Sequence, residues 1–220
     1  MLGLTELGFS KNVIFETIVS TYDLEGEPNA APMGVTMENS QCLRIRPFIS
    51  TATYKNLKAK KCAVVNLTTD PELFYVTAFK EVAPNGKLPK ALFSRAKSVD
   101  APKLIMTDAS VEVSVSGIDC SESDRAALSC DVKLVKAAKM MPKAYCRASF
   151  ATIEAIVHAT RVKVFLERRE EQEQVFRFLE RIRICHEVVS HVAPDSRYAQ
   201  IMSDLTQRIK AWRKKSESLR

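Results

Sequence analysis

The sequence predicts an α+β fold, with sheet concentrated in residues 1–142 and helix in residues 143–220. Two observations predict it. Up to Met141 the apolar residues fall in short β-branched and aromatic runs separated by polar turns, which is the pattern of strands. After Met140-Met141-Pro142 they recur at three- and four-residue spacing through three long segments, which is the pattern of amphipathic helices. The balance is ordinary for a globular chain of 220 residues: 46% hydrophobic, 27% charged, six Gly and nine Pro. That excludes a collagen, a coiled-coil rod and a disordered tail.

The elements follow in order. Val13 to Tyr22, VIFETIVSTY, is dense in β-branched and aromatic residues and reads as a strand, broken by the turn around Gly26-Glu27-Pro28. A second strand runs from about Asn29 to Met37. Its small residues fill little core, and Pro32 withholds an amide, so a sheet edge or bulge is expected there. In CLRIRPFI, Leu43 and Ile45 alternate with Arg44 and Arg46 until Pro47. A Ser/Thr-rich entry then leads into a short helix around Tyr54 and Leu57, followed by the buried-strand run CAVVNL. Asp70-Pro71 caps a helix over PELFYVTAF, and the Lys, Pro and Gly content of residues 80–102 reads as a surface excursion. Strands of about 109–118 and 126–138 complete the sheet.

Three helices are expected over 149–166, 170–192 and 198–215. The last two form an antiparallel hairpin through HVAPDSR, with Asp195 as the cap.

Several function classes are excluded or disfavoured. No apolar run approaches the roughly 20 residues that a membrane span requires, and the N-terminus lacks the order of a secretory signal, so a cytoplasmic location is expected. Six cysteines without a Cys-x-x-Cys pair suggest reduced, mostly buried thiols rather than a disulfide framework or a zinc knuckle. The glycines form neither a dinucleotide fingerprint nor a phosphate loop. His186-Glu187 with His191 misses the zinc-helix spacing by one residue, so no metal is expected. Net charge is +7, and Arg161 to Arg220 holds 14 basic against 9 acidic residues. Basic residues there alternate with Glu and aromatics are not interleaved with them, which disfavours nucleic acid.

Three constellations can carry chemistry. Arg46, Thr51, Thr53 and Asn56 surround a strand-to-helix corner, where a guanidinium, hydroxyls and unpaired first-turn amides suit a phosphate monoester. N-capping by Thr51 or Thr53, with Arg46 in a surface ion pair, accounts for the same residues. Asn29, Ala31, Pro32, Met33 and Gly34 would let a flat ligand approach the backbone, or would let a second strand pack closely. Glu154, His158 and Arg161 share one helix face, as a titratable site or as a solvated charge stripe.

In order, VIFETIVST, NAAPMGV, RPFISTATYKNL, VVNLTTDPELF and YCRASFATIEAIVHATR resemble the domain-of-unknown-function 447 family over most of Val13 to Arg161. The resemblance implies an FMN-binding split β-barrel, related to pyridoxamine-phosphate oxidase and flavin reductases, with a helical C-terminal subdomain and a homodimer carrying flavin near its interface. It places Arg46, Thr51, Thr53 and Asn56 in the phosphate segment and Asn29 to Gly34 beside the isoalloxazine. Asn66 falls in the following strand, and Cys146 stands where the family has Asn.

The function it implies is a flavin-dependent oxidoreductase relaying hydride from a soluble donor to a small-molecule acceptor, a pterin or deazaflavin by association, with His158 and Glu154 as candidate catalytic groups. The alternative is a flavin carrier or sensor that recruits a protein through the basic hairpin Glu170 to Lys215. A flavin-free basic regulatory module is a third.

Overall fold

The computed structural model describes residues 2–83, 86–121, 124–138, 146–168 and 172–218. The chain forms two compact units, one of Met1–Thr68 with Phe79–Met141 and one of Thr69–Ala78 with Pro142–Arg220. The change of character at Met140-Met141-Pro142 lies outside the described residues.

The first unit is a closed antiparallel barrel of six strands in the order β1-β2-β3-β8-β7-β4. These are β1 (Ile14–Tyr22), β2 (Pro28–Asn39), β3 (Cys42–Ile45), β4 (Cys62–Leu67), β7 (Ala109–Asp119) and β8 (Ala127–Ala137). Closure leaves no free sheet edge around most of the circuit. Alternation fills the interior: Val19, Val35, Leu43, Ile45, Val65, Val111, Val113 and Leu128 are fully buried in one core. Helix α1 (Ala52–Lys60) adds Leu57 to that core. Truncating such a side chain to Ala typically costs about 2–5 kcal/mol.

Pro32 falls where it costs least. β2 pairs with β1 from Pro28 to Thr36, but with β3 only from Val35 onward, so residues 28–34 have a strand neighbour on one side alone. A residue without an N–H is tolerated in such an open stretch.

The expected surface excursion is instead a partly buried cover. Within it a short 3-10 turn (Lys80–Val82) and the hairpin strands β5 (Phe93–Arg95) and β6 (Pro102–Leu104) form. Ala101 and Leu104 are fully buried, with Ala101 packed against Cys62 and Val64 on the outer face of β4. Side chains of β1 and β4 dock the hairpin. Ser20 donates to the Pro102 carbonyl at 2.5 Å, and Asn66 accepts from the Leu104 amide at 3.0 Å.

The second unit is helical, built from α2 (Pro71–Ala78), α3 (Arg147–Arg168), α4 (Gln172–Val192) and α5 (Arg197–Ser218). The Asp70 carboxylate accepts from the Glu72 amide at 2.9 Å, so Asp70-Pro71 opens α2 as the sequence predicts. α3 packs against both α4 and α5. The cap of α5 differs by one residue from the expected Asp195, since the Ser196 hydroxyl accepts from the Ala199 amide at 3.4 Å. No helix among the described residues is long and apolar enough to cross a membrane.

Candidate functional site

The strand-to-helix corner forms as the sequence predicts, with Thr51 rather than Thr53 as its cap. Thr51 is the N-cap of α1: its hydroxyl accepts from the Tyr54 amide at 3.3 Å and donates to the Phe48 carbonyl at 2.7 Å. Arg46 is exposed just beyond β3, and its carbonyl accepts from Arg125, whose guanidinium lies 3.8 Å from the centroid of the Phe48 ring. Thr53 and Asn56 turn inward and are buried.

They meet the start of β2. Asn29 donates to the hydroxyls of Thr53 at 3.4 Å and Thr21 at 3.5 Å, while Asn56 donates to Thr21 at 3.0 Å. Lys80 donates to the Asn29 carboxamide oxygen from the turn that follows α2. Burial pushes the Lys80 ammonium below its ordinary pKa. Asn29, Thr53 and Asn56 are thus one cluster, joined by Thr21 and Lys80, two residues that sequence reading did not single out. Neither belongs to a motif; each is identified only by what folding brings beside it.

The rest of the β2 segment is half-buried. Thr17 donates to the Met33 carbonyl at 2.9 Å. At Gly34 an added Cβ would lie 2.8 Å from a methyl of Ile14, so the missing side chain makes room for a neighbour on β1. Asn66 lies apart from the cluster. It is fully buried, with its amide nitrogen against the Ile18 carbonyl at 2.8 Å, the Ser20 hydroxyl at 2.9 Å and the Val64 carbonyl at 3.1 Å. Its oxygen accepts from the Leu104 amide, so both of its polar atoms are engaged within the fold.

In the helical unit the solvated-stripe reading of Glu154, His158 and Arg161 is overturned at its centre. Glu154 and Arg161 are exposed, but His158 is 3% exposed because α4 covers it with Phe178, ring centroids 5.6 Å apart. Its Nε2 lies 3.0 Å from a Glu154 oxygen, and its Nδ1 has no hydrogen-bond partner among the described residues. Burial lowers the imidazole pKa, opposed by Glu154 and reinforced by Arg161 and Arg181. The same unit holds a cavity of about 1060 Å³ lined by Phe165, Leu166, Val175, Leu179, Ile182 and Ile209 among others, which no sequence motif marks. No cluster of His, Cys, Asp and Glu able to hold a metal occurs among the described residues.

Residues 15–137 match the family model for the N-terminal domain of the DUF447 proteins of unknown function. A crystal structure of an FMN-bound DUF447 protein from Methanosarcina mazei superposes with a TM-score of 0.74 at 24% identity, covering 93% of this chain and 98% of that one. The expected split-barrel fold with its helical subdomain is therefore the fold of this chain. A 2-nitrobenzoate 2-nitroreductase from Pseudomonas fluorescens matches at a TM-score of 0.47 and 16% identity, over 63% of this chain and 74% of that one. No curated protein matches the sequence.

Proposed function

The chain belongs to the DUF447 family, and on that premise we propose that it binds FMN along the open half of β2 and serves as a flavin-dependent oxidoreductase. One observation carries the reading. Lys80, Asn29, Asn56, Thr21 and Thr53 form a cluster with more hydrogen-bond donors than acceptors, beside a helix whose first-turn amides and neighbouring Arg46 also favour an anion. That donor set fits a phosphate ester. The flavin-bound relative of the same fold supports the choice of FMN.

When bound, the flavin supplies hydride and electron transfer. The chain's part is to hold it. Arg46 is assigned to the phosphate as a fork-shaped donor, and Ala31 to Gly34 line the approach of the ring to the backbone. The same reading carries a homodimer, as the family resemblance implies.

The test is direct. Fluorescence titration with FMN and riboflavin is expected to give saturable binding with FMN preferred, followed by bleaching of the bound flavin under NADH, NADPH or a reduced deazaflavin. A chain that binds neither flavin refutes the proposal.

A further inference from the structure

We infer that Lys80 is a counter-cation for the phosphate of the bound flavin, a residue that neither the family resemblance nor the corner motif marks. The inference rests on the FMN-binding reading above.

Lys80 carries three ammonium hydrogens, and among the described residues they meet one acceptor, the Asn29 carboxamide oxygen. That acceptor is neutral. Glu27, a carboxylate from the preceding hairpin turn, is engaged by Lys90 at 2.7 Å. Burial alone shifts the Lys80 ammonium, and among the described residues no carboxylate, the neighbouring Glu81 included, pulls the other way. A half-buried cation without a counter-charge is a cost that folding does not repay by itself. An anion arriving at the cluster would repay it.

The surrounding groups say which kind of anion. Asn29 passes from Lys80 to Thr53, the second residue of α1, and Asn56 from the same helix reaches Thr21. All of these are hard oxygen or nitrogen donors, and none offers a flat apolar surface. A compact, multiply charged oxyanion matches that set better than an aromatic ring, and lysine binds phosphate as a point charge. Asn29 then acts as a positioning residue, holding the ammonium toward α1 rather than touching the ring.

The experiment compares FMN with riboflavin, which share the ring and differ by the phosphate, on the full chain and on Lys80→Met and Lys80→Arg. Lys80→Met is expected to weaken FMN by about 10- to 100-fold, the range of a charge-assisted hydrogen bond, and riboflavin by less than about 3-fold. Lys80→Arg is expected to keep most of the FMN affinity. If Lys80→Met does not fold, Lys80→Gln, which retains a donor for Asn29 without the charge, takes its place. Equal losses for both flavins, or unchanged FMN affinity, overturn the assignment while leaving FMN binding intact. A wild-type chain that binds neither flavin brings down the proposed function and the assignment with it.

Discussion

Replacing Asn66 by Leu separates a structural amide from a ligand-binding one. Leu nearly conserves volume, so the loss is of hydrogen bonds rather than packing. The Leu104 amide loses its acceptor in a fully buried site, and three bonds from the Asn66 nitrogen disappear. An orphaned buried donor costs about 1–3 kcal/mol, and the weakened contacts on the other side add to it, which gives about 2–4 kcal/mol in all. For a domain of this size that lowers the melting temperature by roughly 5–15 °C. Urea unfolding followed by circular dichroism, without added flavin, measures it. Because Asn66 turns no polar atom outward, the flavin affinity of the folded Asn66→Leu chain is expected to match wild type. A stability change below about 1 kcal/mol, or a selective loss of flavin affinity, refutes the reasoning.

Arg46→Ala should weaken FMN about 10-fold or more while leaving riboflavin nearly unchanged, and equal loss for both would remove Arg46 from the phosphate. His158 has its folded pKa below the unfolded value of 6.5, so its contribution is full above about pH 6.5 and is lost as pH falls from there through the folded value. Urea midpoints between pH 8 and 5 should therefore drop more steeply for wild type than for His158→Phe, and parallel curves would deny the linkage. Lys61 closes α1 at φ 55°, a left-handed conformation that favours glycine, so Lys61→Gly should stabilise by roughly 0.5–1 kcal/mol in the same assay. Burial pushes the thiols of Cys42 and Cys130 up to about 11 and about 12, whereas Cys120 is exposed. Brief treatment with a thiol reagent at pH 8 should label Cys120 and spare Cys42 and Cys130 until the chain is unfolded, as read by peptide mass spectrometry.

Most barrel strands were legible because they carry an alternation or a continuous apolar run of their own. Val19, Leu43 and Val111 announce a buried face from a few residues of sequence. β5 and β6 were not, since three-residue strands hold no periodicity and their docking depends on Ser20 and Asn66, far away in the chain. His158 misled for a related reason. A single apolar stripe describes a helix with one partner, but α3 packs against two helices and so buries a residue that the stripe leaves outside. At the corner, the sequence showed a helix start and an arginine, and Thr51 fulfils the capping role. It gave no sign of Lys80, whose ammonium is paired with no carboxylate among the described residues.

Buried polar groups of the barrel unit fall into two kinds, and the difference bears on function. Asn66 is saturated on both its oxygen and its nitrogen, and the buried Glu112 accepts from the Lys97 amide with both oxygens, at 3.0 and 3.1 Å, and from the Ser98 amide at 2.5 Å. Such groups spend their hydrogen bonds on the fold itself. The Lys80 cluster has donors to spare and a charge that no carboxylate among the described residues balances. A saturated group acts on stability when removed, whereas a group with unspent donors acts on whatever arrives to use them. Asn66→Leu and Lys80→Met should therefore behave as opposites. The first should shift the unfolding midpoint at constant flavin affinity, and the second should shift FMN affinity, with the apo chain no less stable for losing an uncompensated ammonium. If both variants moved the same observable, hydrogen-bond saturation would fail as the criterion that tells scaffold from site in this barrel.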